Sequence, residues 1–97
     1  MRKNIDDSEC LISRVCRMEN YFDLVKNALE NDKTILYNDF EIKEMIQILN
    51  LYQKSGQWLK DFECDEREEL PLELKRGVLS EDGLYNLLME VEIELLI

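Results

Sequence analysis

Carboxylates are the only abundant reactive groups in this chain, whose 97 residues hold 22 aspartates and glutamates, three cysteines and no histidine. Without imidazole the commonest general base and neutral metal ligand is missing, and no Ser–His or Cys–His nucleophile pair can be assembled. Three isolated glycines make no phosphate-cradling loop. What carboxylates can still do is hold magnesium, which takes one or two of them together with substrate phosphates. Glu41/Glu44 and Glu63/Glu66 are spaced three residues apart, on one side of a helix turn. Five acidic pairs share that spacing, however: Asp6/Glu9, Glu41/Glu44, Glu63/Glu66, Asp65/Glu68 and Glu66/Glu69. About five arise by chance at this acidic content along a chain whose helical neighbours are three or four apart. The pairs therefore carry no metal-site signal, and neither an enzyme nor a metal or cofactor is expected.

The thiols point the same way. Cys10, Cys16 and Cys64 lack the close pairing of a metal motif, and Cys10 and Cys16 are six apart, about 240° around a helix. They read as free thiols of a reducing compartment. The net charge of −10 repels nucleic acid and anionic lipid. It is also uneven. Residues 61–69, DFECDEREE, hold six acids and one arginine, and after Arg76 no basic residue follows while Glu81, Asp82, Glu90, Glu92 and Glu94 do. Such runs are ordinarily solvated helix faces. As a docking surface for a basic partner, the candidates are Asp61, Glu63, Asp65, Glu66, Glu68 and Glu69, with Lys75 and Arg76 beside them. Structurally, Lys75 and Arg76 would pair with Glu66, Glu69 or Glu73 and neutralise the turn, worth about 0–1 kcal/mol per exposed pair. Functionally, an arginine fork there would grip an anionic ligand. The structural role is favoured, because acids surround the pair.

The elements that must position these groups all read as helical. Asp6 or Asp7 can cap a first helix, with Asp6 and Glu9 at the spacing of a capping box. Leu11, Val15, Met18, Phe22, Val25 and Leu29 form an apolar seam at steps of four and three, and Leu36 extends it. A first helix over about 7–36 follows, near 45 Å long at 1.5 Å per residue. Asn38 and Glu41 repeat the capping spacing before a second helix at 39–54, whose seam is Ile42, Met45, Leu49 and Tyr52. Lys54-Ser55-Gly56 interrupts it, with Ser55 a competent new cap. Trp58, Leu59 and Phe62 sit on a third helix at 56–68, Trp58 as a core plug. Pro71 stops that helix, Leu72 and Leu74 point inward, and Gly77 takes positive φ at a sharp turn. Ser80 then caps a last helix at 81–96, with Leu79 and Leu84 at staple spacing and Leu84, Leu88, Val91 and Leu95 on one face. The expected fold is all-α, a small antiparallel helical bundle in one domain over residues 1–97. Apolar runs reach only three residues, as in Leu87-Leu88-Met89, far short of the roughly 20 of a membrane span. No signal-peptide stretch follows Met1-Arg2-Lys3, so the expected compartment is the cytoplasm.

Tyr52, Ser55 and Trp58, then DFECDE at 61–66, then LPLELKRGVLSEDGLYNLL at 70–88 resemble the domain of unknown function 4298 family, small bacterial proteins of about this length. LKRGVLSEDG at 74–83 is the specific part, and the resemblance runs from Met18 onward. It implies a compact helical cytoplasmic protein and neither a reaction nor functional residues. The two ExxE pairs resemble, more distantly, the all-α nucleotide pyrophosphatases, which hold magnesium with carboxylates from adjacent helices; the second pair lacks that family's aspartate. The expected function is a protein-interaction or accessory factor without nucleic acid or membrane. Its rivals are an acidic antagonist of a basic partner, of immunity or nucleic-acid-mimic type, and a magnesium-dependent nucleotide hydrolase. Leu95-Leu96-Ile97 and the first helix could also form a homodimer seam, since small bundles often complete their core by association.

Overall fold

Period-three-and-four apolar spacing yields helices throughout a computed structural model that describes residues 10–96. Five α-helices and one short 3-10 turn form the bundle, and no strand occurs among the described residues. They are α1 (Leu11–Asn31), α2 (Ile35–Asn38), α3 (Phe40–Lys54), α4 (Gln57–Glu66), the 3-10 turn (Gly77–Leu79) and α5 (Gly83–Leu96). α1 packs along α3, α4 folds back on α3, and the 3-10 turn wedges between α1, α4 and α5. The seam on α1 is buried as expected at Val15, Met18, Phe22, Val25 and Leu29.

α1 is shorter than its seam suggests. Cys10 has extended backbone and caps the helix with its sulfur, which accepts from the Ser13 amide at 3.4 Å. The Asp6/Asp7 cap lies outside the described residues. At the other end the helix stops at Asn31, because Asp32 turns its carboxylate onto the Thr34 amide and hydroxyl. An aspartate side chain that offers the backbone this alternative competes with helix continuation. Leu36 therefore belongs to a separate helix, α2, and 21 residues give α1 about 31 Å instead of 45. Asp39, one residue after the expected Asn38, caps α3 by accepting from the Glu41 and Ile42 amides. Gly56, at φ +92°, makes the break between α3 and α4, with the Ser55 hydroxyl accepting from the Gln57 amide.

Pro71 is not what stops α4. The Glu69 amide donates to the Cys64 carbonyl at 3.0 Å and the Glu68 amide to the Asp65 carbonyl at 2.9 Å, with Glu68 at φ 62°. This is a Schellman ending, in which glycine is the favoured left-handed residue. A glutamate held there costs about 1–2 kcal/mol. Glu68→Gly is therefore expected to stabilise the fold by about 1 kcal/mol, read as a higher urea midpoint at unchanged slope. A lower midpoint would mean Glu68 is not left-handed in solution.

The connection to α5 departs from expectation at three further points. Leu72 is 89% exposed, and Leu70 is the buried anchor, with Leu74 packed at the core's edge. Leu72 follows Pro71 on an outer turn whose inward positions are already taken by Leu70 and Leu74. Gly77 does not have positive φ, and a Cβ there would meet the Glu19 carboxylate at 3.4 Å and the Phe22 ring at 3.5 Å, which is ordinary contact, so neither backbone angle nor space demands glycine at this turn. Ser80 does not cap α5 with its side chain, because its hydroxyl donates back to the Gly77 carbonyl at 2.8 Å. α5 accordingly starts at Gly83, where a Cβ would lie 2.2 Å from the Ser80 oxygen. Leu79, Leu84, Leu88 and Val91 are buried, whereas Leu95 is exposed.

Candidate functional site

α5 carries more apolar side chains than one face can bury. Leu84, Leu87, Leu88 and Val91 fill the core, which leaves Tyr85, Met89, Ile93 and Leu95 in solvent. On α3, Ile42, Ile46, Leu49 and Tyr52 face inward and Leu51 is left outside. These leftovers meet. Between the two helices lies a groove of about 690 Å³, with Ile46, Leu88 and Val91 as its floor and Leu51, Tyr85, Met89 and Leu95 on its walls. Its polar rim is Gln47, Asn50, Gln53, Lys54 and Glu92. Leu51 is 67% exposed and Tyr85 55%, so the walls are open to solvent.

The groove is held at the end where α5 finishes. The Tyr37 hydroxyl donates to the Glu94 carbonyl at 2.6 Å, and Lys33 pairs with the Glu94 carboxylate at 3.4 Å. Since α2 runs into α3 at Asp39, these bonds place the end of α5 beside the start of α3, making the two helices antiparallel.

Two buried carboxylates hold the scaffold beneath. Asp61 accepts from Arg14 Nε at 2.9 Å and Nη2 at 2.8 Å, from the Tyr52 hydroxyl at 2.7 Å and from Gln57 Nε2 at 3.0 Å. Burial pushes its carboxyl upward, but the Arg14, Tyr52 and Gln57 hydrogen bonds and the Arg14 charge outweigh that and hold it below the usual range. The second carboxylate, Glu19, accepts from the Val78 amide at 2.8 Å, while the Trp58 indole donates to the Val78 carbonyl at 2.8 Å. The middle residue of the 3-10 turn, buried in the core, thus has both backbone groups satisfied by side chains. Trp58 also stacks on Phe62 at 5.0 Å between ring centroids. Glu19→Ala leaves the buried Val78 amide without this acceptor and is expected to cost about 1–3 kcal/mol. Glu19→Gln keeps an acceptor and is expected to cost less. Urea melts giving the two variants equal stability would remove this role.

The acidic run does not form one surface. Asp61 is 1% exposed and committed to Arg14, so it is withdrawn from any partner. Asp65 pairs with Arg76, which also donates to the Pro71 and Leu74 carbonyls. Lys75 pairs with Asp23 at 3.0 Å. Both bases tie down the turn, but not through Glu66, Glu69 or Glu73: α4 ends before Glu68, and the chain reversal carries the pair over to α1 and Asp65. Glu69 pairs with Arg67 at 2.8 Å. Glu63, Glu66, Glu68 and Glu69 remain exposed, as do Glu41 and Glu44. Among the described residues no group of three or more cysteines, aspartates and glutamates is placed to hold a metal ion. Cys10, Cys16 and Cys64 are free thiols. The Ser13 hydroxyl and amide hold the Cys10 thiol below its usual range, and burial together with Glu69 pushes Cys64 up.

Sequence reasoning passed over Arg14, Glu19 and the groove. The signal for Asp61 was its spacing: three residues after Trp58 and one before Phe62, it shares the inward side of α4 with the aromatics. Glu19 likewise follows Val15 by four residues and precedes Phe22 by three, within the α1 seam. The groove had no comparable signal, because it exists only where two helices meet.

No helix among the described residues is long and apolar enough to cross a membrane. A family model described as a domain of unknown function (DUF4298) matches residues 15–96. No curated protein and no solved structure matches the chain.

Proposed function

The chain belongs to the domain of unknown function 4298 family, whose description assigns no reaction, and we propose from its own surface that it is a non-catalytic binding protein. It takes a helical segment of a partner polypeptide into the groove between α3 and α5. One observation carries this reading: Leu51, Tyr85 and Met89 stand exposed around a preformed apolar groove on a chain that is 35% charged. An apolar trough between two helices, walled by exposed leucine, tyrosine and methionine, suits the apolar face of an amphipathic helix. Glu41, Glu44, Glu63 and Glu66 are exposed and, among the described residues, belong to no group of three or more placed to hold a metal ion, which favours binding over hydrolysis. Turnover in a magnesium–nucleotide panel that is lost in both Glu41→Gln and Glu63→Gln would replace this reading with a hydrolase.

The test is a titration of ¹⁵N-labelled protein with an 18-residue helical peptide bearing a leucine face and uncharged glutamine flanks. Shift changes are expected at α3 and α5 groove residues. Leu51→Gln combined with Met89→Gln is expected to weaken binding about tenfold, since a few buried anchors dominate such interfaces. Both side chains are exposed, so an unchanged thermal melt checks that the fold survives. Shift changes confined to other faces, or none at millimolar peptide, would overturn the reading.

A further inference from the structure

We infer that the segment taken up by the groove is a basic amphipathic helix, its apolar face on Leu51, Tyr85 and Met89 and its lysines or arginines against the carboxylates of α5. This rests on the binding reading above and adds the chemistry of the partner. Tyr85, Met89 and Ile93 recur every four residues, so at 100° per residue they form a slowly drifting stripe along the outside of α5. Carboxylates border it on both sides. Glu92 lies about 60° to one side of Met89, on the groove rim, and Glu90 about 100° to the other. Glu90 and Glu94 line a second depression, of about 340 Å³, on the far side of Ile93. α5 carries no base to answer these charges. Lys33 lines that second depression and pairs with Glu94, and the groove itself is lined by one carboxylate, Glu92, and one base, Lys54.

A segment that covers the stripe brings its own flanks over Glu90 and Glu92. Basic flanks are attracted there, neutral ones gain nothing, and acidic ones are repelled. The same charges argue against a second copy of this chain. Two-fold pairing through α5 would set Glu90 and Glu92 against their own counterparts, on subunits each carrying a net charge of −10. The stripe spans α5, whose 14 residues extend about 21 Å, so an occupant of roughly four helical turns covers it.

The experiment uses the full chain and three 18-residue peptides with one leucine face and lysine, glutamine or glutamate flanks, followed by fluorescence anisotropy. At 50 mM salt the lysine peptide is expected to bind about tenfold tighter than the glutamine peptide, and the glutamate peptide weakest; by 300 mM salt most of that spread should vanish. Glu90→Gln with Glu92→Gln is expected to reduce the lysine advantage by about threefold or more, whereas Glu63→Gln with Glu66→Gln, removing the same charge on α4, should leave it unchanged. Equal affinity of all three peptides overturns the charge inference and leaves the groove reading standing. Equal effects of the two double variants also overturn it, because the attraction then belongs to net charge and not to the groove. No binding by any peptide removes both readings. Light scattering that gives twice the chain mass, lost on Met89→Gln, overturns it in favour of a second copy as the occupant.

Discussion

Asp61→Ala is expected to cost about 3–5 kcal/mol of folding stability, the largest effect of any single substitution outside the apolar core. The carboxylate receives both nitrogens of the Arg14 fork, the Tyr52 hydroxyl and the Gln57 amide, and is 1% exposed. Alanine takes this two-point carboxylate contact away from a guanidinium that is itself mostly buried. A pair of this kind adds little over an apolar replacement, but losing one member leaves a charge in a poor environment. Asp61→Asn keeps the volume and one acceptor and is expected to fall between wild type and alanine. The two variants also report on pH. With its carboxyl held below the ordinary value of about 3.8 in the folded state, Asp61 contributes stability that is full above that value. The contribution is lost as pH falls through the lower folded value. The gap between wild type and Asp61→Asn should therefore be widest near neutrality and narrow steadily below about pH 4. Urea melts at pH 7 and pH 3 measure it, and a gap of equal size at both would show that the ionised carboxylate is not what the Arg14 fork holds.

Leu36→Ala is expected to cost about 2–5 kcal/mol, the range for emptying a fully buried leucine site. The site has a second consequence because of where it lies. α2 has four residues, and its N-cap residue Thr34 makes no side-chain capping bond, so α2 has no means of standing alone. Leu36, with no exposed surface, fastens it to α1, α3 and α5. α2 in turn carries Tyr37, whose hydroxyl holds the end of α5 and one end of the groove. The variant should show fast amide exchange at residues 37–39 before global unfolding, and weaker binding of a groove peptide. A loss below about 1 kcal/mol would mean that the surrounding helices collapse onto the space.

These effects sit where the sequence was hardest to read. The α1 seam from Val15 to Leu29 was legible, because burial on one side of a long helix writes a repeat into the chain. Helix ends are less legible. Asp32, Asp39 and Glu68 each turn on a local hydrogen bond or a backbone angle that residue type alone does not specify, which is why α1 stops short of Leu36 and why a Schellman ending, not Pro71, stops α4. Ser80 has the composition of a cap and spends its hydroxyl on the Gly77 carbonyl instead.

Asp61 and Glu63 look alike in DFECDEREE, yet one is an internal anchor and the other is solvated. The distinction comes from Arg14, 47 residues away, and Tyr52, which meet Asp61 only after α1 and α3 have packed. The all-α class, the apolar seams and the acidic balance were settled by residue type and periodicity, which act over one or two turns. Which carboxylates are buried, where the groove lies and which apolar side chains are left to line it were decided by helices meeting across the fold. A side chain's partners there depend on the packing of segments far apart in the chain, and no local pattern records that.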